Sequence, residues 1–229
     1  MQAPQALLDR VASVKGGASG VRRLVLLFSQ LGDFDSLEYA QALVAALPRL
    51  QQAGIQVVAI GIGDSRSADR FCAFTGFPRA ALQVESSNRL HRQLGLYEGL
   101  QVAGGPWPNL LLMCAGLGSP GTLAEVLRGY TGDRSAPQRL NLSFFRLAGG
   151  EGFQRPFELA TVRLQNMLEV LGRWRTYVPT DDYITQRGGT FLLETDDSVL
   201  YEHRDRGILG FSETMANPLQ FLEPYLVVS

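Results

Sequence analysis

The turn Gly32-Asp33-Phe34-Asp35-Ser36 gathers two carboxylates and a hydroxyl between an apolar run and a helical pattern. An Asp-x-Asp pair can hold a metal ion or serve phosphoryl transfer, because carboxylate oxygens suit hard cations. Such a site wants its first aspartate at the strand end, whereas Ser29 to Gly32 intervene here. The simpler reading is local: Asp and Ser are favoured helix N-caps, and negative charge suits the positive end of a helix dipole. Small-ligand or metal binding at Asp33 to Ser36 stands as a rival reading, and no cofactor or metal is expected.

The next chemistry to consider is that of the thiols. Cys72 lies in a helical pattern beside Phe71 and Phe74, and Cys114 ends the run Leu110-Leu111-Leu112-Met113-Cys114. Cysteines in such settings behave as small buried hydrophobes. Two cysteines make no disulfide framework, and with only His91 and His203 beside them they make no convincing zinc site. Gly116 to Gly121 spells G-x-G-x-x-G, yet Pro120 removes one backbone N–H and no acid follows near Asn141. Ser119 as a cap with Pro120 in the first turn explains that string without a ligand. His91 and His203 face no nucleophile and read as structural.

The first 15 residues read as a short amphipathic helix, with Leu7, Leu8, Val11 and Val14 at helical spacing and Gly16-Gly17 as its stop. Leu24 to Phe28 and Ile55 to Ile62 are continuous apolar runs of the kind that form strands covered on both faces. Between them, Ser36 to Gly54 is an amphipathic helix that Pro48 should kink. This strand, helix, strand order predicts a parallel crossover. A helix capped by Ser67 and ended by Gly76 follows, then a short strand over Leu82 to Glu85 and a short helix over Asn88 to Leu96. Residues 100–152 break the rhythm with recurrent Gly and Pro and read as a helical insertion, with a helix near Thr122 to Tyr130 and a strand in Leu140 to Leu147. A long helix begins at Pro156 with Phe157, Ala160, Leu164, Met167, Leu168 and Leu171 along one stripe. Thr190 to Thr195 and Ser198 to Arg204 flank Asp196-Asp197 as a hairpin.

These elements carry strings that resemble the peroxiredoxin-like, AhpC/TSA-type branch of the thioredoxin superfamily. They are Glu38-Tyr39-Ala40, Val57-Val58-Ala59-Ile60-Gly61, Phe71 to Pro78, Leu94-Gly95-Leu96, Gly188-Gly189-Thr190-Phe191 and Tyr201 to Asp205, in family order and spacing. The insertion and the stretch Arg206 to Met215 look most like cyanobacterial and plastid members. The resemblance implies an α/β thioredoxin-like sandwich: a central mixed sheet, helices on both faces, a closing helix, and one domain over 1–229 with the insertion at 100–152 and an extension at 206–229. It also implies antioxidant or oxidoreductase chemistry at a Gly-Cys-Pro-x-Cys-type turn. Here Asp33 and Ser36 occupy the two cysteine positions, so the thiolate that this chemistry needs is absent. Thr190 would still form a wall of the degenerate site beside Asp33, Phe34, Asp35 and Ser36.

The composition narrows the function further. Lys plus Arg number 21 and Asp plus Glu 22, a net charge of −1 that argues against a strong grip on nucleic acid. No apolar run approaches a membrane span, and the first residues lack the pattern of a secretory leader, so a reducing, cytoplasmic setting is expected. The expectation is a non-catalytic protein that binds a protein partner. Its docking residues would be Trp107, Phe144 and Phe145 of the insertion and Phe221 and Tyr225 of the segment Leu219 to Val228. The rival enzyme would act through Cys72.

Overall fold

The computed structural model describes residues 1–147 and 149–226. Five strands form one sheet in the order β3-β2-β1-β4-β5, where β1 is Arg22–Gln30, β2 Ile55–Ile62, β3 Leu82–Glu85, β4 Gly189–Leu193 and β5 Val199–Arg204. β1, β2 and β3 run parallel, while β4 pairs antiparallel with both β1 and β5. The central strand β1 is buried along nearly its whole length, as its unbroken apolar run requires.

Helices cover both faces. On one, α2 (Phe34–Gln52), α3 (Ser65–Thr75), α8 (Glu158–Gly172) and α9 (Trp174–Tyr177) bury Leu24, Leu26 and Phe28 together with Leu37, Leu43, Phe71 and Val170. On the other, α1 (Gln5–Val11) and α4 (Arg89–Gln93) cover Val25, Leu27, Val58 and Ile60. Alternate residues of the same strands thus serve the two layers, as the period of two demands. Parallel strands first and an antiparallel pair last, wrapped on both faces, is the thioredoxin-like arrangement.

Several local expectations are corrected. α2 runs unbroken through Pro48, whose ring is exposed, so the carbonyl left without a donor faces water. Asp64, not Ser67, caps α3; it accepts from the Ser67 N–H at 2.7 Å while Ser67 Oγ accepts from the Asp64 N–H at 2.8 Å. Residues 100–152 hold α5 (Pro106–Cys114), α6 (Thr122–Thr131) and the short α7 (Ser143–Arg146). The strand expected over Leu140 to Leu147 joins no sheet and is replaced by α7. α6 is capped by Gly121 rather than Ser119. After β5 the described chain closes with a 3-10 turn, Gln220–Tyr225, in place of a helix, and residues 227 and 228 of the expected docking segment lie outside the described residues.

The largest correction concerns α8. Its buried face is Leu159, Val162, Asn166 and Val170, whereas Phe157, Leu164, Leu168 and Leu171 of the expected stripe are exposed. α8 carries apolar residues on two faces, and only one of them is turned to α2 and the core. The hairpin turn works without glycine because Asp197 adopts φ +67, a conformation aspartate tolerates, and its carboxylate pairs with the buried Arg23.

Candidate functional site

The turn sits where β1 hands over to α2. Gly32 is required there: a Cβ would lie 2.3 Å from Val178 Cγ2. Asp33 occupies the N-cap position of α2, but its side chain makes no cap. The carboxylate turns to Arg187 instead. Asp33 Oδ1 accepts from Arg187 Nη1 at 3.1 Å, and Oδ2 accepts from Ser29 Oγ at 2.7 Å and Ser36 Oγ at 3.5 Å. Arg187 is wholly buried and also donates to the carbonyls of Thr185 and Ile184. Burial works against its charge, yet the Asp33, Asp35 and Asp205 carboxylates outweigh that and raise its pKa.

Two further acids stand in this nest. Asp35, in the first turn of α2, is buried and accepts from the Gly210 N–H at 3.2 Å through Oδ2, while Oδ1 has no partner among the described residues. Burial first, and then the Asp33 charge, raises its carboxyl well above the ordinary range. Asp205 follows β5 and lies 3.4 Å from His203 Nε2, whose N–H is donated to the Gly210 carbonyl at 2.9 Å. Burial pushes the Asp205 carboxyl up to about 8; Arg187 pulls it down and Asp33 adds to the rise. Three carboxyls thus surround one buried guanidinium, with Asp33 directly paired to it and the Asp35 and Asp205 carboxyls raised by burial.

Thr190 stands opposite Leu26 on β1, and its Oγ1 lies 2.9 Å from the Tyr39 hydroxyl. Tyr39 in turn stacks on Phe211 at 4.5 Å. The chain after β5 is therefore laid over the start of α2. Its Ile208 N–H reaches Ser119 Oγ at 2.8 Å and Thr122 Oγ1 at 3.1 Å, so the Gly116 to Gly121 string anchors this return. Gly188 lets the walls close: a Cβ there would meet the Leu27 carbonyl at 2.1 Å and Asp205 Oδ2 at 3.0 Å.

Above the turn lies an apolar groove. One cavity of about 200 Å³ is lined by Asp33, Phe34, Trp107, Leu110, Leu111 and Cys114, with Trp174 and Val178 opposite. A second, of about 430 Å³, runs between α6 and α8. The two share Phe34, Cys114, Met167 and Ile208.

Residues 42–207, well over half of the chain, match a family model described as AhpC/TSA antioxidant enzyme. The chain belongs to this family. The match opens downstream of Asp33 to Ser36, and neither a curated protein nor a solved structure matches the chain.

In this AhpC/TSA chain both cysteines are free. Cys72 is buried on α3 in the main core, and burial pushes its thiol up to about 11. Cys114, expected in the more apolar setting, is instead exposed at the end of α5, because Asn109 and Met113 take that helix's inner face. It shares the groove with Asp33 and Phe34; burial among the apolar walls raises its thiol, partly opposed by Arg187. Cys114 and not Cys72 is thus the thiol beside the turn. His91 is buried, donates Nε2–H to the Phe28 carbonyl at 2.9 Å, and is held neutral, its pKa lowered to about 4 by burial.

The expected docking residues fall in different places. Trp107 is half-exposed at the groove mouth, its ring tilted against Trp174 at 5.0 Å, and donates its N–H to Asp181 Oδ2 at 3.1 Å. Phe144 is exposed, but Phe145 is buried beneath the Arg155 guanidinium. Phe221 stacks on Tyr201 at 4.1 Å, and Tyr225 lies under Arg22 at 5.7 Å, so both spend their faces on their own chain. Arg187 and Ser29 were not singled out from sequence, and Asp205 only as the end of the family string Tyr201 to Asp205. The signal for Arg187 was charge alone: aspartates drawn into a core need a cation.

Among the described residues, no group of three or more His, Cys, Asp or Glu side chains is arranged to hold a metal ion, and no helix is long and apolar enough to cross a membrane.

Proposed function

We propose that this chain is a redox-silent AhpC/TSA-type protein that works by binding a protein partner. The observation that carries the reading is the Asp33–Arg187 pair, which fills the position where the family's chemistry needs a thiolate. The carboxylate lacks the nucleophilic sulfur that attacks a peroxide oxygen, and it cannot enter a disulfide. The guanidinium that would favour a thiolate is spent on Asp33. What is left open is the mouth of the groove, with Trp107, Leu111 and Cys114 around it and Phe144 exposed elsewhere on the 100–152 segment. A partner presenting apolar side chains suits that opening, because its walls offer few hydrogen-bonding groups.

The rival reactions find little support. The buried Cys72 thiol holds its proton far above neutral pH, and Asp33 turns its oxygens to Arg187 and two hydroxyls rather than to a cation site. We read residues 1–229 as one domain with 100–152 inserted, of cyanobacterial or plastid type and working in the cytoplasm. The test is peroxide consumption by the reduced protein, beside partner binding by wild type and Leu111→Glu. Absent turnover with binding lost in the variant supports the proposal, and thiol-dependent turnover abolished by Cys72→Ser or Cys114→Ser would overturn it.

A further inference from the structure

The second face of α8 and the exposed face of α6 lack a partner within the chain. Phe157, Thr161, Leu164, Leu168 and Leu171 follow at steps of four and three along one line of α8. That spacing is the a/d seam by which one helix packs against another. Leu168 is 61% exposed and Leu171 52%. α6 lies beside α8 at the close approach of Gly129 to Ala160, where a Cβ on Gly129 would come within 3.5–3.7 Å of Ala160 atoms. It adds Leu127 and Tyr130, 62% and 54% exposed, to the same surface. Between the two helices runs the cavity of about 430 Å³.

We propose that this face docks a second copy of the chain, α8 of each copy laying its stripe into the α6–α8 trough of the other. Three observations select that occupant. At roughly 150–250 Å² per large side chain, the half-exposed residues leave on the order of 700 Å² of apolar surface in water. That exceeds the largest patch of most monomers and approaches the ~800 Å² each partner gives to a standard interface. Second, Leu127 and Leu168 stand outside the cavity, so a small molecule filling the trough would leave them wet. Third, the cations near this face are already paired: Arg163 with Glu38 and Glu125, Arg128 with Glu125, Arg173 with Glu169. The single lysine of the chain, Lys15, follows α1 across the sheet. With these arginines neutralised, the face offers little electrostatic hold on an anionic lipid surface. A self-complementary apolar stripe is what a two-fold contact requires. This contact reaches Leu171, which also lines the smaller cavity beside Trp107, and it stands independently of the redox reading.

The test is sedimentation of the full-length chain at micromolar concentration, in low and high salt, for wild type, Leu168→Glu and Leu127→Glu. Wild type is expected as a dimer in both salts, since apolar contacts are not screened. Each variant places a charge in the interface and should weaken dimerisation by about 30-fold or more, with an unchanged circular dichroism spectrum. Both positions are exposed, so folding should survive, and either variant decides if the other fails to fold. A monomeric wild type, dimerisation untouched by both substitutions, or a monomer that pelts down only with lipid vesicles would each overturn the proposal.

Discussion

Arg187 Nη1 stands 3.1 Å from Asp33 Oδ1 at the point where strand β1 enters helix α2, and this ion pair is sealed from solvent on the guanidinium side. Removing one partner of a buried pair leaves the other charge uncompensated. Arg187→Met should therefore cost about 3–5 kcal/mol in denaturant unfolding. Adding Asp33→Asn to it should recover part of that loss, because the stranded carboxylate is gone. Equal stability of wild type and Arg187→Met would show that the pair does not hold the turn.

The same guanidinium makes the turn convertible. With Asp33→Cys, Arg187 would lose its carboxylate and face a thiol, which a neighbouring cation shifts below the ordinary value of about 8.5. Ser36 Oγ already comes within 3.5 Å of the Asp33 carboxylate, so Asp33→Cys with Ser36→Cys should oxidise to a disulfide. Thiol titration against pH and intact mass under oxidising conditions read both outcomes. A thiol at position 33 titrating above its ordinary value would contradict the arrangement.

Much of this fold was legible and much of the site was not, for one reason. Leu24 to Phe28 and Ile55 to Ile62 announced themselves because strands buried on both faces carry continuous apolar runs, and the 190–204 hairpin because its residues alternate around Asp196-Asp197, its second strand being a half-buried edge. The Asp33, Thr190 and Tyr39 surroundings followed from family strings. Arg187 did not, because an arginine in sequence reads as surface until the three carboxyls around it are seen. α8 misled in the other direction: its periodicity showed an apolar stripe, but periodicity alone does not say which of two apolar faces turns to the core.

Stability should depend on pH in an uncommon way. Asp205, raised to about 8 by burial, is protonated in the native state, so its contribution is complete below the unfolded value of about 3.9 and is lost as pH rises through 8. His91, lowered to about 4 by burial, contributes above about 6.5 and loses that contribution as pH falls through 4. Up to about 6.5 the two slopes oppose one another, and beyond it the Asp205 loss remains, in the same direction as that of Asp35, whose carboxyl burial also raises. Unfolding free energy should fall from pH 6.5 to 8, and Asp205→Asn should flatten that fall. An unchanged slope in the variant would assign the titration elsewhere.

The two thiols should differ in accessibility. Maleimide labelling of the native protein should modify Cys114 well before Cys72, since Cys114 is exposed on the groove and Cys72 is packed in the core. Peptide mapping after brief exposure reads the order. Faster modification of Cys72 would mean that α3 opens in solution.

The most direct test of the account is peroxide turnover by the fully reduced wild-type chain, followed together with trapping of sulfenic acid by dimedone. On the proposed redox-silent reading, peroxide should persist as in buffer and neither cysteine should carry the adduct. Sustained peroxide consumption with an adduct on Cys114 or Cys72, lost on changing that cysteine to serine, would contradict the redox-silent reading.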